Sequence, residues 1–129
     1  MPQQTFGTAI NCVDGRVQRP VVAWMRETHK LDWVDVVTEP GADRVLARWQ
    51  IDKMLAIKER LRVSVERHGS RVIAVAGHHD CAASPGSADL HREQIGQAVA
   101  VVRSWNFGAQ VIGLWVNEKW EVEVVVDDG

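Results

Sequence analysis

Short unbroken apolar runs alternate along this chain with longer stretches in which apolar residues return every three or four positions, and that alternation predicts an order of strands and helices. Residues 5–11 are an apolar run ending in polar residues, which suits a buried strand with Cys12 just beyond its end. Pro20 is suited to a first helical position, and Val21, Trp24, Met25 and Thr28 follow on one helix face, so a helix of about ten residues is expected. Residues 33–38 are β-branched and apolar and run into Glu39, Pro40 and Gly41, a second strand ending at a loop. A long helical region begins there. Met54, Ile57, Leu61 and Val65 keep one register while Val45, Leu46 and Trp49 sit out of phase with it, so a bend is expected within 48–53, and Gly69 supplies the stop.

Residues 71–76 are apolar without polar alternation, the mark of a strand covered on both faces, and Gly77 to Cys81 follow directly. Ser87 is a suitable N-cap, Ile95, Ala98, Val99 and Val102 make a helical stripe, and Gly108 closes that segment. Residues 110–116 form the fourth strand. Trp120, Val122, Val124 and Val126 then alternate with Glu121 and Glu123, predicting an antiparallel edge strand with one dry face and one wet. The resulting β-α-β-α-β-α-β-β order belongs to the α/β class. It predicts three α/β/α layers around a mostly parallel sheet with right-handed crossovers.

Composition narrows the picture. A chain of 129 residues with 46% hydrophobic content suits one domain over residues 1–129. The net charge is −2, with both signs mixed along the chain, so there is no broad cationic face for a nucleic acid. No apolar run approaches the roughly 18 residues that span a bilayer, and the N-terminus lacks a basic segment followed by an apolar one, which points to a cytoplasmic protein with no membrane partner. In that reducing compartment Cys12 and Cys81 are expected as free thiols or metal ligands.

In open parallel sheets functional groups gather beyond the carboxyl ends of the strands. Cys12 follows the first strand, and His78 and Cys81 follow the third, so adjacency of those strands would bring two thiols and an imidazole together. Such donors favour tetrahedral zinc, and three protein ligands leave a fourth position for water or substrate. Cys12-Val13-Asp14-Gly15-Arg16 also sets a thiol, a carboxylate and a guanidinium at alternate positions, projecting to one side of an extended backbone. Asp14 has two options beside a zinc: to fill the fourth position itself, or to pair with Arg16 and leave that position to water. The bland readings are buried thiols that act as small hydrophobes, His79 as a neighbour of the site, Asp80 as a turn residue and Gly41 as a turn rather than an anion site.

Together the two segments resemble a known family. Cys12-Val13-Asp14-Gly15-Arg16 is similar to the Cys-x-Asp-Ser-Arg motif of the β-class carbonic anhydrases, and Gly77-His78-His79-Asp80-Cys81 resembles their Gly-His-x-x-Cys motif, in the same order. The resemblance implies strand order 2-1-3-4 with an antiparallel final strand, zinc held by Cys12, His78 and Cys81, and a catalytic dyad of Asp14 and Arg16. It implies reversible hydration of carbon dioxide to bicarbonate by a homodimer or larger homo-oligomer, and Trp115 and Trp120 are expected near a subunit contact. Three departures are visible: Gly15 for the usual serine, Glu39-Pro40-Gly41-Ala42 for an arginine-containing stretch, and Ala82-Ala83 for a glycine-containing pair. They leave two other readings: a zinc-binding protein without that activity, and a hydrolase of a related linear substrate such as carbonyl sulfide or carbon disulfide.

Overall fold

The computed structural model describes residues 4–127. Its elements are β1 (Phe6–Asn11), α1 (Gly15–His29), β2 (Trp33–Thr38), α2 (Ala42–Ala47), α3 (Ile51–His68), β3 (Val72–His78), α4 (Ala88–Ser104), β4 (Gln110–Val116) and β5 (Val122–Val126). The five strands form one sheet in the order β2-β1-β3-β4-β5, parallel except for the antiparallel β4–β5 pair. This is the α/β sheet, strand order and edge strand expected from the sequence.

Alternation along each strand divides the core in two. Ile10, Ile73, Val75, Val111 and Trp115 pack with α2, α3 and α4, whereas Ala9, Ala74, Ala76, Ile112 and Leu114 pack with Val17, Val21 and Met25 of α1. The chain leaves β1 through α1 on one face and β3 through α4 on the other, so the crossovers diverge between β1 and β3. That switch point is where an α/β sheet opens a crevice at its carboxyl edge.

Several boundaries differ from the sequence reading, each for a local reason. α1 starts five residues before Pro20, because Asp14 caps it by accepting the Arg16 N–H at 2.9 Å. Pro20 therefore sits inside the helix, where its missing N–H removes one hydrogen bond to the preceding turn. The long helical region is two helices rather than one bent one: Trp49 takes φ 51, and the Gln50 N–H reaches back to the Val45 carbonyl at 3.1 Å. β3 runs on through His78, which lies in register with Val116. β5 begins at Val122, with Trp120 in the preceding turn. A bulge opposite Gly113 and Leu114 breaks its strict alternation, so Val124 is exposed while Val125 and Val126 pack on the core.

Gly77 and Gly113 allow helices to press on the sheet. A Cβ at Gly77 would lie 2.8 Å from Asp43 Oδ2, and one at Gly113 would lie 2.5 Å from Ile95 Cγ2. Gly113→Ala is therefore expected to destabilise the protein by about 1–3 kcal/mol through overpacking, read from the midpoint of urea unfolding; an unchanged midpoint would count against this packing.

Candidate metal centre

Cys12 is the first residue past β1, His78 is the last of β3, and Cys81 follows three residues later on the loop to α4. Because β1 and β3 are hydrogen-bonded neighbours, their ends bring the three side chains together: one ligand atom from each lies within 4.8 Å of the others, and all three residues are buried. The cysteines are free, and their sulfurs stand 3.9 Å apart. That is far from the roughly 2.05 Å of a disulfide. It is close to the separation of about 3.8 Å that two thiolates reach at about 2.3 Å from one tetrahedral zinc.

The imidazole supplies an independent test of fit. His78 Nδ1 is 2.8 Å from the His79 carbonyl, which can only accept, so Nδ1 carries the proton and Nε2 presents a lone pair. That Nε2 is buried and has no hydrogen-bond partner among the described residues. An orphaned buried acceptor beside two buried thiols costs stability unless a cation meets it, and a metal-binding histidine characteristically gives its other N–H to a backbone carbonyl. The donor set therefore fits a thiophilic divalent metal such as zinc.

Without a cation the site favours the neutral thiol. Burial pushes the Cys81 thiol up to about 11, with the neighbouring Cys12 adding to the effect, while the backbone N–H groups of Ser84 and Ala83 aimed at its sulfur act in the opposite direction. A bound dication reverses that balance and deprotonates the thiols outright.

Beside the three donors Asp14 is engaged by Arg16. Arg16 Nε lies 3.0 Å from Asp14 Oδ1 and Nη2 lies 2.6 Å from Oδ2, a bidentate fork, while the Arg16 backbone N–H holds Oδ1 as well. In this structure Asp14 is paired with Arg16. Arg16 bonds hold the Asp14 carboxyl down at about 2, against partial desolvation that raises it. The sign follows: this pairing contributes stability fully above the ordinary value of 3.8, and loses it as pH falls through about 2. Asp14 thus remains an ionised acceptor at every pH of interest. An inflection in activity near neutral pH is therefore expected to survive Asp14→Asn unshifted in whatever activity that variant retains; its disappearance would assign the inflection to Asp14.

Other residues hold the loops. Gln18 Nε2 donates to the carbonyls of Cys12 at 2.7 Å and Asp14 at 3.1 Å, fixing the turn between β1 and α1. Asp43 and His91 form a buried pair, 2.7 Å from Oδ2 to Nδ1, and His91 Nε2 donates to the Ser84 carbonyl at 2.8 Å on the loop that carries Cys81. The Asp43 hydrogen bond raises the His91 pKa above its ordinary 6.5 despite burial. Neither residue stands out by motif, but His91 lies four before Ile95 on the stripe that includes Val99 and Val102, and that spacing already places it on a core-facing side.

One expectation is corrected. Trp115 is not at the surface: it is buried in the core against His91, with ring centres 5.2 Å apart. Trp120 is half-buried and lies over Arg16, its ring centre 4.5 Å from the guanidinium carbon. His79 and Asp80 are exposed, Asp80 in a left-handed turn with its side chain and carbonyl each 3.3 Å from Arg16.

Comparison with known proteins agrees with this geometry. Residues 2–126 match a family model described as "Putative carbonic anhydrase". Among solved structures, the chain is similar to β-carbonic anhydrase isoform I of Trichomonas vaginalis (TM-score 0.65, 15% identity, covering 100% of this chain and 88% of that one). It is also similar to a carbonic anhydrase from Glaciozyma antarctica (TM-score 0.63, 15% identity, 98% and 85%). A third likeness is to tetrameric β-carbonic anhydrases of Sordaria macrospora (TM-score 0.62, 12% identity, 95% and 81%). No curated protein matches the chain in sequence. With its family model matched over residues 2–126 and its fold shared with those structures, the chain belongs to the carbonic anhydrase family, as a divergent member with the fold of the β class.

Proposed function

We propose that this chain is a zinc enzyme that interconverts carbon dioxide and bicarbonate, with Cys12, His78 and Cys81 holding the metal and Asp14 and Arg16 acting beside it. The observation that carries the reading is the buried Nε2 of His78, without a hydrogen-bond partner among the described residues and set beside two free thiols. Zinc in such a donor set supplies Lewis acidity that makes water a nucleophile near neutral pH.

The chain's own residues then have separate tasks. His78 keeps its lone pair aimed inward because the His79 carbonyl holds the other ring nitrogen. Asp14 is acceptor-only, and Arg16 occupies part of its lone-pair capacity, so what remains can accept a hydrogen bond from the attacking oxygen and orient it toward the carbon of carbon dioxide. Arg16 keeps that carboxylate ionised and turned to one geometry. Hydration adds the oxygen of water to the carbon, and the displaced proton leaves to buffer. We read the chain as one domain, active as a homodimer or larger assembly in the cytoplasm. Among the described residues no helix is long and apolar enough to cross a membrane.

Stopped-flow hydration of carbon dioxide by the zinc-loaded protein, at neutral and alkaline pH, tests the proposal; a rate above buffer that disappears on metal removal is expected. A rate equal to buffer at both pH values would refute it. A second reading draws on the rebuilt stretch at Gly41, where an added Cβ would press on Ser84 and Ala83 beside Cys81 at 3.2 and 3.4 Å. A pocket reshaped there would favour carbonyl sulfide or carbon disulfide, or leave a zinc-binding protein without turnover, and the same assay with those substrates separates the cases.

A further inference from the structure

Arg16 is held from three directions, and two of the holders occupy a backbone conformation that favours glycine. Asp14 takes its Nε and Nη2, Asp80 approaches Nη1 and Nη2 at 3.3 Å, and the Trp120 ring covers its guanidinium at 4.5 Å. Asp80 has φ 58 and Trp120 has φ 61. Aspartate tolerates the left-handed region through its short polar side chain, whereas a bulky tryptophan there is an outlier.

The turn that imposes this conformation is strongly braced. Asn117 exchanges backbone bonds with Glu121 and Trp120, its Oδ1 accepts the N–H groups of Lys119 and Glu121, and its Nδ2 donates to Glu123 at 2.7 Å. A turn fixed this firmly, with tryptophan where glycine would be unstrained, holds the indole over a particular target. That target is the Arg16 side chain, itself about half exposed and otherwise open to competition from water. The same ring lies 6.4 Å from the His78 ring and 6.3 Å from that of His79, beside the centre.

We propose that Trp120 is a positioning residue that keeps Arg16 on Asp14, and thereby keeps the Asp14 carboxylate from occupying the fourth position of the metal. The proposal rests on the reading of Cys12, His78 and Cys81 as metal ligands. Asp14 is a hard anionic donor one residue beyond the Cys12 neighbour Val13, and it is withheld from a cation only while Arg16 holds it. The planar ring adds a cation–π attraction that leaves the edge donors of the guanidinium free for the carboxylate fork.

Cobalt substitution makes the fourth position visible. Wild type, Trp120→Gly, Trp120→Phe and the double variant Trp120→Gly/Asp14→Asn are loaded with Co2+, and the absorption of each is titrated with azide. Glycine adopts φ 61 without strain, so the turn persists while the ring is lost. Wild type and Trp120→Phe are expected to bind azide alike. Trp120→Gly should bind it at least about threefold more weakly, the factor that corresponds to a cation–π contact at a partly exposed site. Asp14→Asn in the same chain should restore azide binding, which a purely structural role for Trp120 would not allow. Azide binding by Trp120→Gly equal to wild type would overturn the proposal, as would a double variant no better than the single one. Absence of thiolate-to-cobalt absorption in wild type is a separate outcome that overturns the metal reading itself, and the inference with it.

Discussion

Cys12→Ser is expected to abolish stoichiometric zinc binding and to reduce carbon dioxide hydration to the buffer rate, while leaving the fold in place. A serine hydroxyl stays protonated at neutral pH and is a poor partner for a borderline-soft dication, so one of three charged or lone-pair donors is lost outright. Loss of an outer partner of a metal ligand already costs about 10–100-fold in affinity, and loss of the ligand itself costs more. Cys12 lies at the edge of the core, beyond the end of β1, so the added polarity should cost no more than about 1–3 kcal/mol of stability. Metal content by elemental analysis after dialysis, together with stopped-flow rates, checks this. A serine variant that retains one zinc per chain would remove Cys12 from the ligand set.

The second large effect is on stability. Asp43→Ala is expected to destabilise the protein by about 3–5 kcal/mol, because it leaves the buried His91, with both ring nitrogens committed as donors, without its counter-charge. The pair also has a pH signature. His91 has a folded-state pKa above its ordinary 6.5, so its contribution is fully present below that value and is lost as pH rises through the folded-state value. Urea unfolding of wild type as pH is raised from acid should therefore show a decline that Asp43→Ala lacks. His91 Nε2 holds the Ser84 carbonyl, and the Ser84 N–H points at the Cys81 sulfur, so the same substitution should weaken metal binding. A variant as stable as wild type at neutral pH, with the same alkaline decline, would show that the pair is not ionised in the native state.

What the sequence made legible, and what it hid, follows from the range of each interaction. The unbroken apolar runs at β1 and β3 announced strands buried on both faces, and the residues placed just past their ends were the ones that a parallel sheet gathers at its switch point. The family motifs then fixed which of those ends are neighbours, a long-range fact that periodicity alone does not contain. The start of α1 was missed because Pro20 resembles a first-turn residue, while the cap that governs the start is a side-chain bond from Asp14 within a motif read for its chemistry. The edge strand lost its expected alternation to a single extra residue at the β4–β5 bulge. His91 was placed on a core-facing side by its helical spacing, but its partner Asp43 lies 48 positions away, and Trp120 meets Arg16 only after folding, so no local pattern reports what they hold.

X-ray absorption at the zinc edge of the purified, zinc-loaded protein tests the central claim most directly, since it counts sulfur and nitrogen around the metal without depending on turnover. Two sulfurs at about 2.3 Å, one imidazole nitrogen at about 2.0–2.1 Å and one further light atom are expected. A zinc surrounded by nitrogen and oxygen alone would contradict the assignment of Cys12, His78 and Cys81.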